Sequence, residues 1–182
     1  MKKLVAIAQL IFLAFSANAD TELLLSSKDI AEGDLLNNAQ VLNGFGCEGS
    51  NQSPHLEWSG APEETKSFAI TAYDPDAPTG SGWWHWIVYD LDASVNALEK
   101  DSGNEANHRM PAGAKHGRND FGYFGYGGAC PPAGEVHRYQ FNLHALDIKK
   151  LPVGTDASAA MLGYFIHMHS IGTAQIEARY QQ

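Results

Sequence analysis

Two short segments, about fifty residues apart, carry side chains that could bind or transfer a small charged group. In the first segment, Asp74 and Asp76 flank Pro75, and Pro78 precedes His85. Proline fixes φ and excludes helix, so both carboxylates are predicted to lie in a rigid turn at the end of a strand. A carboxylate close to His85 would raise its pKa and favour the cationic form, which binds phosphate. An ordinary Asx turn without a ligand is the alternative interpretation.

The second segment joins a loop rich in glycine and proline, residues 127–132, to a strand-like run that contains His137 and Tyr139. Alternate residues of a strand face the same side, so His137 and Tyr139 should project together while Arg138 points the opposite way. An imidazole and a phenol can both donate hydrogen bonds to phosphate oxygens, and the loop offers backbone N–H groups. Alternatively, Tyr139 belongs to the core and His137 only caps a turn.

Three tryptophans surround His85 in the sequence, which is also a pattern of buried core histidines. Strand alternation places Trp84, Trp86 and Val88 on one face, and Trp83, His85 and Ile87 on the other.

The elements that must position these residues are mainly strands separated by turns that contain proline or glycine. The predicted strands are residues 22–26, 67–73, 84–91, 137–146 and 174–180. One helix is predicted near the C-terminus, capped by Thr155 or Asp156 and ended by Gly172. Its predicted apolar face consists of Ala160, Met161, Tyr164, Phe165 and Met168. Strands without βαβ alternation favour an antiparallel β-sandwich with peripheral helices.

The N-terminus predicts export. Lys2 and Lys3 precede an apolar stretch at residues 4–15, and Ala17-Asn18-Ala19 is a small-x-small cleavage site. The stretch is too short to span a membrane, so we expect a signal peptide over residues 1–19, a single domain over residues 20–182 and a periplasmic or secreted location.

Two cysteines, Cys47 and Cys130, can pair in only one way. Because an oxidising compartment favours the bond, we expect a disulfide that also stiffens the second segment, with two free buried thiols as the alternative.

Composition argues against several classes of function. Without residues 1–19, the 12 basic residues lose two lysines, so the net charge is 10 − 21, or −11. No basic stripe is present, which argues against nucleic-acid binding. Eight histidines invite a metal site, but His167 and His169 fall on nearly opposite sides of the predicted helix. We therefore expect neither a metal nor another cofactor.

An enzymatic role, with Asp74, His85 and His137 as acid–base groups, lacks a nucleophile. Ser81 stands in Gly80-Ser81-Gly82 rather than in a Gly-x-Ser-x-Gly elbow, and a disulfide would occupy both thiols. The expectation is therefore a protein that is not an enzyme.

Taken together, the two segments resemble the signature blocks of the phosphatidylethanolamine-binding protein family, specifically its bacterial Raf-kinase-inhibitor-like branch. The first block stands here as residues 73–78 with 83–86, and the second as residues 127–132 with 137–139. The resemblance covers nearly all of the chain after the leader. It implies a Greek-key β-sandwich with a surface pocket for phosphate, phosphoryl headgroups or similar anions.

The resemblance also implies roles for individual residues. Asp74, His85, His137 and Tyr139 match the ligand pocket of the family, and we add Asp76 from the same turn. The matches to the pocket wall are Ala77, Pro78, Trp83 and Pro132. The family tends to hold a cis peptide bond near the first block, and Ala77-Pro78 is the candidate.

We therefore predict a noncatalytic binding protein for small anions such as phosphate, phosphorylethanolamine or a carboxylate, with regulation of a partner protein through the same pocket as an extension. The alternative is a protease inhibitor or another protein-interaction regulator, because some relatives inhibit serine-type peptidases. The sequence leaves the oligomeric state open, with a homodimer as one outcome.

Overall fold

The computed structural model describes residues 22–182, so the predicted leader lies outside the described residues. The strands are β1 (Leu24–Ser26), β2 (Asn43–Gly44), β3 (Cys47–Glu48), β4 (Leu56–Ser59), β5 (Ser67–Asp74), β6 (Trp83–Asp92), β7 (Ala97–Leu98), β8 (Lys115–His116), β9 (Val136–Leu146) and β10 (Ser170–Gln181). The helix α1 spans Ala159–His169, and two 3₁₀ turns span Asn38–Gln40 and Glu105–Asn107. All five predicted strands are present.

The main sheet has five strands in the order β10-β9-β5-β6-β8, and every pair is antiparallel. Counted along the chain from β5, the order β9-β5-β6-β8 is the 4-1-2-3 arrangement of a Greek key. A smaller sheet, β1-β4-β7, packs against the main sheet, and β2 and β3 form a separate hairpin. The predicted mainly-β, antiparallel Greek-key sandwich is confirmed.

The main core lies between the two sheets, where β9 contributes alternate residues and the central strands β5 and β6 are buried along most of their length. In β9 the buried positions are every second residue from His137 to Ala145, and Phe141 and Leu143 fill the centre. They share one buried cluster with Trp58 of β4, from the facing sheet, and with Trp86 of β6, from the same sheet. The same alternation that builds the core therefore sends His137 and Tyr139 into one side of the sheet.

Helix α1 covers the opposite face of the main sheet. Ser158 is the N-cap and accepts a hydrogen bond from the backbone N–H of Met161 at 3.2 Å, as serine commonly does at a helix start. The buried face consists of Ala159, Leu162 and Ile166.

The predictions for this helix were wrong in detail. The cap is Ser158 rather than Thr155 or Asp156, and the helix ends at His169, before Gly172. The predicted apolar face is largely exposed. Met161, Tyr164 and Met168 face solvent because Leu162 and Ile166, one position along, fit against Ile87 and Leu146 of the sheet. None of the helices described here has the length and apolar character needed to cross a membrane.

Candidate functional site

A cavity of about 180 Å³ opens where the turn after β5, the start of β6 and the loop before β9 meet. It brings the two sequence segments together. The lining residues are Phe45, Asp74, Ala77, Pro78, Thr79, Trp83, His85, Phe121, Cys130, Pro131, Pro132 and His137. Seven of the nine predicted ligand-site residues therefore border one cavity, and the exceptions are Asp76 and Tyr139.

The polar end of the cavity is organised by a buried ion pair. Oδ2 of Asp74 lies 2.8 Å from Nδ1 of His137, and the two side chains are only 4% and 3% exposed. The other carboxylate oxygen of Asp74 accepts the backbone N–H groups of Asp76 and Ala77, at 2.8 and 3.0 Å. This Asx-type turn follows from the Asp-Pro-Asp sequence, because the short side chain reaches the amides two and three residues ahead.

His137 has a second acidic partner that the sequence analysis did not single out. Its Nε2 lies 3.1 Å from Oε2 of Glu135, whose side chain is 55% exposed. Burial lowers the pKa of His137, but the hydrogen bonds to Asp74 and Glu135 outweigh burial, so its pKa is raised. Since carboxylates only accept hydrogen bonds, an imidazole bonded to two of them carries protons on both nitrogens. His137 is therefore the cation of the site.

His85 reaches the cavity because strand β6 bulges at this residue. Ala72 pairs with Trp86 and Tyr73 pairs with Trp84, which leaves His85 as an extra residue without a partner on β5. A bulge breaks strict alternation and redirects side chains. The predicted faces were therefore wrong at two points. Trp84 and Trp86 were expected on one face, but Trp86 lies in the core between the sheets and Trp84 packs with the residues under α1. His85 was expected to share a face with Ile87, but it packs against Tyr139 while Ile87 lies under α1.

The environment of His85 differs from the prediction. Its Nδ1 donates to the carbonyl oxygen of Gly127 at 2.7 Å, and no residue of the described range 22–182 hydrogen-bonds its Nε2. Burial lowers the pKa of His85. The hydrogen bond to Gly127 and the charge of Asp74 act to raise it, but burial outweighs them. The expected rise in pKa was wrong, because Asp74 pairs directly with His137 instead. His85 therefore presents a neutral Nε2 to the cavity.

Asp76 faces away from the cavity and holds Arg138. The carboxylate accepts bonds from the backbone N–H, Nε and Nη2 of Arg138 at 2.9, 2.9 and 2.7 Å. The hydrogen bond from Arg138 lowers the pKa of Asp76 to about 2. Asp76 thus ties the turn after β5 to the start of β9, which keeps Asp74 and His137 in register. Arg138 does point opposite to His137, as predicted from strand alternation.

Tyr139 lies behind the cavity wall rather than in it. Its ring packs edge-on against His85, with the ring centres 5.1 Å apart, and the residue is 2% exposed. The hydroxyl is buried with no hydrogen-bond partner among the residues described, and burial raises its pKa. The phenol therefore does not stand beside His137 as a second donor to a ligand, and in this arrangement it supports His85.

Two further predictions concern the cavity wall. Ala77-Pro78 was expected to be cis, and this was wrong: no peptide bond is cis within residues 22–182. The Asx turn at Asp74 already reverses the chain with trans bonds. The predicted Cys47–Cys130 disulfide is present, and Cys130 borders the cavity. The bond attaches the β2–β3 hairpin to the loop that precedes β9.

Several lining residues were missed. Phe45 lies in the two-residue turn between β2 and β3, and its ring centre is 5.7 Å from that of Phe121. The ring centre of Phe121 is in turn 5.3 and 5.4 Å from the ring centres of Trp83 and His85. Gly127 permits this position, because a Cβ there would clash with the Phe121 ring. The flanking glycines of Phe45 were a turn signal, but no local pattern links residue 45 to residue 121.

Among residues 22–182, no group of three or more histidine, cysteine, aspartate or glutamate side chains is arranged to hold a metal ion.

The sequence and the fold are both similar to those of known proteins. A sequence model of the family described as phosphatidylethanolamine-binding protein matches residues 26–181. The chain is 50% identical over 182 residues to UPF0098 protein YbcL of Escherichia coli (strain K12), covering 100% of this chain and 99% of that protein. The crystal structure of E. coli YbcL, described as a new member of the mammalian PEBP family, matches with a TM-score of 0.86 and 51% identity, covering 88% of this chain and 99% of that one.

A more distant structure, a carboxypeptidase Y inhibitor complexed with its cognate proteinase, matches with a TM-score of 0.52 and 17% identity. The match covers 88% of this chain and 84% of that one. At this identity the similarity concerns the fold alone.

Proposed function

Because the chain belongs to the phosphatidylethanolamine-binding protein family, we propose that it is a noncatalytic binding protein whose cavity accepts small anions such as phosphate, phosphoryl headgroups or carboxylates. We propose that it acts in the periplasm or outside the cell. The predicted leader and the Cys47–Cys130 disulfide support that location, since structural disulfides persist in oxidising compartments.

One observation carries the proposal: a cationic imidazole and a neutral imidazole converge on one cavity. His137 supplies a positive charge, and its ion pair with Asp74 holds the ring in place. His85 supplies Nε2, which no described residue occupies. An anion near this atom favours protonation of His85, and the imidazolium then donates a hydrogen bond to the anion. Binding is therefore expected to take up a proton.

Glu135 determines how an anion would reach His137. Its carboxylate already occupies Nε2 of His137 at 3.1 Å, but the side chain is half exposed and can rotate into solvent. A ligand oxygen can replace that carboxylate and keep the imidazolium hydrogen-bonded. Glu135 then acts as an internal competitor, and its removal should strengthen anion binding.

The test is equilibrium titration of the purified protein with phosphate, phosphorylethanolamine and sulfate. Sulfate does not change charge near neutral pH, so any pH dependence of its binding reports on the protein. We expect sulfate to bind more tightly as the pH falls from about 7.5 to 5.5. The pKa of His85 is lowered, so a lower pH makes it easier for His85 to take up the proton that binding requires. The His85→Gln variant should weaken this dependence and leave the part that follows the charge of His137.

Two variants separate a pocket from nonspecific attraction. Glu135→Gln should raise affinity, whereas Glu57→Gln, which removes a carboxylate of similar exposure outside the cavity, should not. His137→Ala should weaken binding. No detectable binding of any of the three anions, or equal gains from both glutamine variants, would reject the assignment.

An assay of phosphoester hydrolysis distinguishes a binding protein from an enzyme. His85 and the Asp74–His137 pair could transfer protons, but the residues that line the cavity include no free thiol, and the only hydroxyl is that of Thr79. The Thr79 hydroxyl donates to the carbonyl oxygen of Gly82 at 2.5 Å. Hydrolysis of a phosphoester by the pure protein, abolished in His85→Gln, would show that the protein is a hydrolase instead.

Protease inhibition is the second candidate. The distant structure with a carboxypeptidase Y inhibitor is the observation that suggests it, and it shares only the fold with this chain. A serine carboxypeptidase assay with increasing amounts of the protein tests it directly. Inhibition that persists in Asp74→Asn and His137→Ala would place the inhibitory surface outside the cavity.

A further inference from the structure

Building on the proposed anion site, we propose that the cavity selects anions that carry an aromatic ring next to the charged group, and that Phe45 makes this selection. The composition of the wall, the size of the cavity and the unusual position of Phe45 point to this selectivity.

The cavity has a polar end and an apolar wall. Asp74, His85 and His137 supply the charged and titratable groups. Most of the remaining lining is apolar, and its aromatic members are Phe45, Trp83 and Phe121. A bare phosphate ion would satisfy the histidines and leave the aromatic faces in contact with water. A ligand with an apolar ring covers both parts, as small-molecule sites with a few polar groups generally require.

The size of the cavity fits a ring. An apolar protein cavity of about 150 Å³ can hold one benzene molecule. The cavity here, at about 180 Å³, provides that space and is open at its mouth. A ring beside Phe45 and Phe121 would add an aromatic contact of the edge-to-face or offset type. The histidines would meanwhile hold the anionic group at the other end.

Phe45 is held in an exposed position that the core does not explain. It is 81% exposed, and its φ of 54° lies in the left-handed region, where a phenylalanine is rarely found. Gly44 and Gly46 flank it, also with positive φ, and the next residue is Cys47 of the disulfide. A two-residue hairpin turn favours positive φ at both central residues, so the turn between β2 and β3 holds this ring at the cavity. An exposed aromatic ring next to a cavity is most simply a contact for a ligand.

The experiment compares inorganic phosphate, hexyl phosphate and phenyl phosphate by titration calorimetry or by competition. Wild-type protein should bind phenyl phosphate roughly 3- to 10-fold more tightly than phosphate, the range that one aromatic contact supplies. Phe45→Asn is the main variant, because asparagine tolerates left-handed φ and preserves the turn. It should lose the preference, so that its affinities for phenyl phosphate and phosphate agree within about 2-fold.

Tyr164→Ala is the matched control, since this tyrosine is also exposed but does not line the cavity. It should leave all affinities unchanged. Equal binding of phenyl phosphate and phosphate by wild type, or an undiminished preference in Phe45→Asn, overturns the inference while the anion site stands. An equal preference for hexyl phosphate also overturns the aromatic specificity. If none of the three ligands binds, the proposed function fails, and this inference fails with it.

Discussion

Replacing His137 by alanine should destabilise the protein by about 3 kcal/mol, because it leaves a buried carboxylate without its counterion. Removal of one partner of a buried ion pair typically costs about 3–5 kcal/mol. The side chains of Asp74 and His137 are 4% and 3% exposed, so solvent screens the pair little. The lower end of the range applies, since Asp74 keeps two backbone hydrogen bonds from Asp76 and Ala77.

A double-mutant cycle isolates the interaction. Asp74→Asn preserves an acceptor for the two backbone amides but loses the charge, and we expect a cost of about 2–3 kcal/mol. Once either partner is gone, the second substitution should cost little, so the coupling energy should be about 2 kcal/mol. Urea unfolding followed by tryptophan fluorescence at pH 6, where His137 is protonated, measures each free energy of unfolding.

The chain contains a matched control of the same chemistry. Nδ1 of His169 lies 2.9 Å from Oδ1 of Asp147, almost the distance of the buried pair, but these side chains are 27% and 50% exposed. Exposed ion pairs contribute about 0.2–1 kcal/mol. If the destabilisations by Asp74→Asn and His137→Ala add within about 0.5 kcal/mol in the double mutant, the claim that burial strengthens this pair is refuted. Equal coupling energies for the buried pair and the exposed His169–Asp147 pair would refute it as well.

Three further outcomes are expected. Glu135→Gln should lower the pKa of His137, as measured by NMR titration. In the wild-type protein this pKa is raised in the folded state, so protonation of His137 stabilises the fold. That stabilisation is complete below about pH 6.5 and is lost as the pH rises through the folded pKa. A melting temperature of the wild-type protein that does not fall as the pH rises above about 6.5 would contradict this account. Reduction of Cys47–Cys130, which are 83 residues apart, should cost up to about 4.5 kcal/mol in urea unfolding. An unchanged urea midpoint would show that the hairpin needs no covalent anchor. Ser158→Ala should cost about 1 kcal/mol through loss of the helix cap, and a cost below about 0.3 kcal/mol would show that the cap is dispensable.

The strands and much of the site were predictable because they follow from local rules. Alternation in residues 137–146 predicted that His137 and Tyr139 share a side, and both are buried there. The Asp74 turn was predictable because a short acid followed by proline bonds its own backbone. The disulfide followed from having only two cysteines.

The failures occurred where a choice depended on distant residues. Helix α1 has apolar side chains on more than one face, and the sheet surface below it selected Leu162 and Ile166 over Met161 and Tyr164. Within β6, one unpaired residue at His85 changed which tryptophan enters the core. Neither result can be obtained from periodicity alone, because periodicity assumes regular pairing.

By itself, the sequence determined the strand order along the chain, the turn that holds Asp74, and the shared side of His137 and Tyr139, since each depends on neighbours within a few residues. Only the tertiary structure decided which acid pairs with which imidazole, and that burial keeps His85 neutral. The tertiary structure also decided that Phe45 lies at the cavity beside Phe121, which is more than seventy residues away in the sequence. The physical reason is that charge pairing and desolvation depend on distance in space and on exclusion of water, and packing of the whole chain sets both.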